Sequence, residues 1–232
     1  MKLKNYRLPV LLFIVAIAAF SCKQGDDTAV TAGITTRLNV INAVTDTKAI
    51  DFYLNGTRQN TNSAIYLFNS SGYTIVPASE QQYQFKSDSP RTAILNIKLT
   101  PASKDSTYTV IIAGQISRNN LSAIFVNDHF PPADTLQQSK VRFIQASPGD
   151  TGYDVFVGDT LSFKNQAFKS VTGFMDVGPG VKTVRIMRAG GTVPLVEGTV
   201  TLQANTYYTL FTEGELTGSG DDAFGAAINL TR

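Results

Sequence analysis

The chain has 232 residues, 43% of them apolar and 16% charged, with a formal net charge of +2, one histidine and one cysteine. That length fits one large or two small domains, and a lone cysteine excludes an internal disulfide framework, so each domain must be held by an apolar core. Lys2, Lys4 and Arg7 belong to a leader; without them seventeen basic residues face eighteen acidic ones, and no basic stripe interleaved with aromatics remains to suggest nucleic-acid binding.

Those three basic residues precede Leu8–Phe20, an apolar run of thirteen residues. A helix needs ~20 residues to cross a hydrocarbon layer about 30 Å thick, so the run predicts a signal peptide over residues 1–21 and not a span. Ala19-Phe20-Ser21-Cys22 resembles the lipobox of bacterial lipoproteins, which implies that Cys22 becomes the lipidated first residue; a chance cysteine beside an ordinary cleavage site is the alternative. Each buried methylene contributes ~0.8 kcal/mol, and two or more acyl chains tether a protein stably where one does not. Lys23, Asp26 and Asp27 resemble the short acidic signal that sends some Bacteroidota lipoproteins to the outer face of the outer membrane; a solvated linker is the competing reading. The expected address is therefore the outer membrane, on its periplasmic or cell-surface face, with residues 22–36 as a polar, aperiodic tether.

From Arg37 the pattern has period two. Ile50, Phe52 and Leu54 alternate with Asp51, Tyr53 and Asn55, and Asn55-Gly56 supplies a turn. Tyr83 with Phe85, then Leu95, Ile97 and Leu99, then Tyr108, Val110 and Ile112 form further inward rows, and Leu121–Val126 reads as a last strand. Pro131-Pro132 interrupts the pattern and marks a linker over residues 130–139. The scheme then returns, with Tyr153, Val155 and Val157, with Val184 and Ile186 about Arg185, and with Val196, Val200 and Leu202 opposite Glu197, Thr199 and Thr201.

This return is a duplication. Ile41, Ala43 and Asp51 fall on Ile144, Ala146 and Asp154 without a gap, Gly72-Tyr73 answers Gly173-Phe174, and Tyr108-Thr109 with Gly114 answers Tyr208-Thr209 with Gly214. A repeat of roughly 100 residues is the size of a small domain. The reading is all-β: two tandem antiparallel β-sandwiches, at residues 37–129 and 140–232. Inward rows in each copy predict private cores and independent folding; packing of the halves on each other is the alternative, because the linker is short and outward aromatics need cover.

The second copy runs Ala-Ser-Pro-Gly at 146–149, Tyr-Asp-Val-Phe-Val at 153–157, Val-Thr-Gly-Phe-Met-Asp-Val-Gly-Pro-Gly at 171–180 and Thr-Leu-Gln-Ala-Asn-Thr-Tyr-Tyr-Thr-Leu at 201–210. In this order it resembles the domain-of-unknown-function 4397 family, closely over residues 140–216 and more loosely over 37–116. The first copy departs from the pattern, with Val44-Thr45-Asp46 and Pro77-Ala78-Ser79 at two of its turns. The resemblance implies an extracytoplasmic, immunoglobulin-like sandwich and transfers no catalytic residue.

The chemistry-bearing residues are few. Asp51 and Asp154 repeat inside apolar strands and read as outward carboxylates that accept bonds from neighbouring loops. His129, Asp128 and Asp134 in the linker lack the partners of a triad or a zinc site. Gly180-Val181-Lys182-Thr183 runs into a strand and is no phosphate loop, and Asp221-Asp222 lacks the alternating spacing of a calcium loop. No cofactor or metal is expected. Tyr53, Phe156, Tyr207 and Phe211 sit on the outward register, where Tyr53 and Phe156 would form a sugar-stacking or partner surface, or else be covered. Asp27-Thr28-Ala29 and Asp134-Thr135-Leu136 resemble Bacteroidota O-glycosylation acceptors, which makes Thr28 and Thr135 candidate modified residues. The expected function is a non-catalytic, lipid-anchored envelope protein in binding, adhesion or scaffolding, with an unknown protein or glycan partner. The alternative is an accessory glycan-capture lipoprotein of the outer membrane.

Overall fold

The computed structural model describes residues 33–60, 63–101, 106–132 and 137–232. The expectations for Cys22, Lys23, Asp26, Asp27, Thr28 and Thr135 lie outside them. The first repeat contributes β1 (Thr35–Val44), β2 (Ala49–Leu54), β3 (Thr57–Arg58), β4 (Ile65–Tyr66), β5 (Thr74–Pro77), β6 (Gln81–Ser87), β7 (Ala93–Leu99), β8 (Thr107–Gly114) and β9 (Ser122–Asn127). The second contributes β10 (Ser139–Ile144), β11 (Tyr153–Val157), β12 (Thr160–Gln166), β13 (Met175–Val177), β14 (Gly180–Arg188), β15 (Pro194–Leu202), β16 (Tyr207–Glu213) and β17 (Gly225–Leu230). The hairpin from β2 to β3 turns on Asn55 and Gly56, both at positive φ (47° and 85°), the left-handed pair that a two-residue turn needs.

Each repeat is a sandwich of two sheets. The first stacks β5-β1-β8-β9 on β3-β2-β6-β7, with β4 also on β2, and the second stacks β13-β10-β16-β17 on β12-β11-β14-β15. The strand order of one repeat is therefore the strand order of the other. Most pairs are antiparallel, as expected, but β1 runs parallel to β8 from Arg37↔Thr107 to Val44↔Gly114, and β10 runs parallel to β16. A parallel neighbour requires a long crossover, and here the crossover includes the whole of the opposite sheet and one edge strand of the same sheet.

The inward rows make two cores. Leu38, Val40, Phe52, Tyr83, Phe85, Val110 and Ile112 are fully buried in the first, and Phe143, Val155 and Ile186 in the second. A third apolar layer lies between the sandwiches: Ile41, Ala43, Ile111, Ala113, Ile124 and Val126 meet Ile144, Ala146 and Phe211. These residues have the opposite parity from the inward rows, so β1, β8, β10 and β16 bury side chains on both faces, with polar groups interspersed on the outward one. The sheet containing β1 thus packs on its own counterpart, which makes the contact isologous within one chain. The packed alternative to two free-standing halves is the arrangement seen.

Candidate functional site

Asp51 and Asp154 hold loops, by different means. Asp51 is wholly buried; Arg58 and Asn60 donate to its Oδ1 at 2.6 and 2.7 Å, and Asn60 Oδ1 in turn accepts the Phe52 amide at 2.9 Å. Asp154 accepts the backbone amides of Asn165 (2.7 Å) and Gly190 (2.8 Å). Both carboxylates are engaged within the chain, in separate sandwiches, as a structural role requires.

A polar network closes one end of the layer between the repeats. The Arg142 guanidinium, 2% exposed, pairs with Asp128 at 2.6 Å, donates to Thr209 Oγ1 at 2.9 Å and lies 4.9 Å from the Phe174 ring centre. Asp128 also accepts from Tyr73 (2.7 Å) and Thr109 (2.8 Å). Burial first, then the Asp128 charge, pushes the Tyr73 phenol far above its ordinary value. Sequence reasoning assigned Asp128 to a linker and passed over Arg142. The available signal was a cation between Val141 and Phe143 in mid-strand, where the first repeat has Asn39.

At the other end equivalent loops meet. Arg118 pairs with Glu215, and Thr45 donates to Asp222 at 2.7 Å. Hydrogen bonds from Thr45 and Gln115 hold the Asp222 carboxyl below its ordinary range, so Asp222 serves the inter-repeat contact. Glu213 is 4% exposed and its Oε2 has no hydrogen-bond partner among the described residues; burial, then Asp221, pushes its carboxyl up to about 8. No group of three or more His, Cys, Asp or Glu among the described residues is placed to hold a metal.

Tyr53 and Phe156 lie half-buried on the outer sheets, one in each sandwich, and are not brought together. Each is topped by a cation, Lys86 at 4.2 Å and Arg185 at 5.5 Å from the ring centres. Tyr207 and Phe211, outward by parity, are covered. Phe211 is in the inter-repeat layer, while Tyr207 packs edge-on to Phe130 and Phe174, ring centres 5.1 and 5.4 Å away, and donates to the Pro131 carbonyl.

The sequence reading overlooked a cleft of about 540 Å³ between the segment around β4 and strand β17 of the other repeat. Gln59, Asn69, Ser70 and Thr74 line it from the first repeat, Asn229 and Leu230 from the second, and no charged side chain is in its described lining. Tyr66, 55% exposed, stands in its wall. In the second repeat the continuous strand β12 takes the place of β3 and β4, and residues 171–174 with Val126 and Asn127 of the first repeat line a smaller cleft of about 290 Å³.

Residues 36–137 and 139–226 match the family described as "Domain of unknown function (DUF4397)". Among solved structures, CBMbc (family CBM26) from Eubacterium rectale Amy13K in complex with maltoheptaose is similar at 11% identity and a TM-score of 0.28, covering 85% of this chain and 97% of that one. No curated protein matches.

Proposed function

We propose, for a chain that belongs to the DUF4397 family through both of its repeats, a non-catalytic role at the cell envelope in binding, adhesion or scaffolding, with the chain tethered by lipid on Cys22. What carries the reading is how the chain employs its buried polar groups. Asp51, Asp154, Asp128 and Arg142 are all tied to the chain's own loops and to the contact between repeats. The result is a packed tandem whose outer faces and cleft remain open to a partner. Removing Cys22 by Cys22→Ser is expected to move the protein from the membrane fraction to the soluble one; retention after a carbonate wash, with normal processing, sinks the tether. Saturable binding of the full chain to an immobilised polysaccharide or matrix protein, undiminished by Asp154→Asn, is the expected functional result. Turnover of an ester, peptide or glycoside by the purified chain would instead make it an enzyme. The uncharged cleft favours a second reading within this one, glycan capture.

A further inference from the structure

We infer that the cleft between the β4 segment and β17 binds a carbohydrate made of neutral sugar residues, an inference that rests on the binding role proposed above. The described lining of the cleft carries no charge. A site for an anion or a cation would need an opposite charge or a converging set of like dipoles, and the described lining has no ionisable acid or base apart from tyrosine hydroxyls. Its side chains are amides and hydroxyls, which both donate and accept hydrogen bonds, as the hydroxyls of a sugar do. An apolar ligand would bury those groups unpaired, which is unfavourable.

Tyr66 offers an aromatic face, the surface on which the C–H side of a sugar ring packs, and Leu230, 64% exposed, adds apolar wall from the other repeat. A volume of about 540 Å³ falls in the ~300–1,000 Å³ range of small-ligand sites. The other large clefts are charged: one of about 590 Å³ is lined by Asp159, Asp176 and Lys182, and one of about 520 Å³ by Asp46.

The walls come from different repeats, and the inter-repeat core fixes their spacing. The Asn229 amide nitrogen finds no acceptor among the described residues. The equivalent place on the other repeat, where residues 171–174 face Val126 and Asn127, is a smaller cleft of about 290 Å³ that includes Arg142 and His129, so the uncharged site of this size occurs on one side of the tandem.

Calorimetric titration of the full chain with cellohexaose, xylohexaose, mannohexaose and maltohexaose, and with a galacturonic acid hexamer as the charged probe, tests the inference. At least one neutral probe is expected to bind with a Kd of roughly millimolar or tighter, and the charged one far more weakly. Tyr66→Ala and Asn69→Ala change exposed residues, so each should weaken that binding tenfold or more with the thermal midpoint unchanged; Leu161→Ala, on the second repeat's outer sheet, should leave it alone. Absence of binding to every neutral probe overturns the inference, as does preference for the charged hexamer or affinity unmoved by both cleft variants. If an immobilised polysaccharide or matrix protein is still captured by Tyr66→Ala as by the parent, the binding role stands and the cleft assignment falls.

Discussion

The two repeats share a strand order and differ in how each position is completed. At Asp51 and Asp154 the same carboxylate is paired by side chains in the first repeat, Arg58 and Asn60, and by backbone amides in the second. In the contact between them, Arg142 and Asp128 form an ion pair, while the counterparts Asn39 and Thr231 do not; Thr231 bonds to Thr209 instead. Glu213 is buried where the first repeat has Ala113. Inward positions are apolar in both copies because each faces its own core. The outward positions of the contact diverge, since a single interface needs only one member of each equivalent pair to supply a given group.

If the third core makes the tandem one cooperative unit, damage to a private core should be felt by both repeats. Phe52→Ala, at a site with no solvent exposure, is expected to cost about 3–5 kcal/mol. Urea denaturation should show one transition shifted as a whole; two transitions of which only one moves would restore the picture of independent halves. Breaking the inter-repeat ion pair is of similar size. Asp128→Ala leaves Arg142 buried without its carboxylate and should cost about 3–5 kcal/mol, whereas Asp128→Leu combined with Arg142→Met should recover most of the loss. Equal destabilisation by the single and double variants would mean that packing, and not charge, governs this end of the contact.

Glu213 sets a pH dependence that Ala113 cannot. Its carboxyl titrates near 8 in the fold against an ordinary 4.5, so the folded state keeps a proton that the unfolded chain loses. Its contribution is therefore fully present below about pH 4.5 and is lost as the pH rises through about 8, by on the order of 5 kcal/mol. Thermal denaturation of Glu213→Gln at pH 5 and pH 8.5 should show that slope removed; an unchanged slope would place its source elsewhere. The smallest effect separates the two aspartates. Asp51→Asn loses a charged partnership with Arg58 and should cost about 1–3 kcal/mol, while Asp154→Asn, whose partners are neutral amides, should cost about 1 kcal/mol. The reverse order in chemical denaturation would mean that the partially exposed Arg58 adds little.

Alternation alone made the strands legible. Val196 and Val200 against Glu197 and Thr199 match a half-buried strand, Phe52 and Leu54 against Asp51 and Tyr53 mark a strand whose polar face loops then cover, and Asn55-Gly56 can supply the two left-handed residues of a tight turn. The duplication was legible for the same reason, because parity repeats with the core it serves. Tertiary structure decided what covers the outward rows. The run Val110-Ile111-Ile112-Ala113 signals a strand apolar on both faces but does not say which sheet lies against the second face. The answer is a counterpart more than thirty residues away, Ile144, Ala146 and Phe211, along with the buried Arg142–Asp128 pair and a cleft walled by both repeats. Periodicity reports how each strand divides its own two faces between apolar and polar; which distant surface meets a face depends on how whole sheets dock, and that is settled only when the chain is folded.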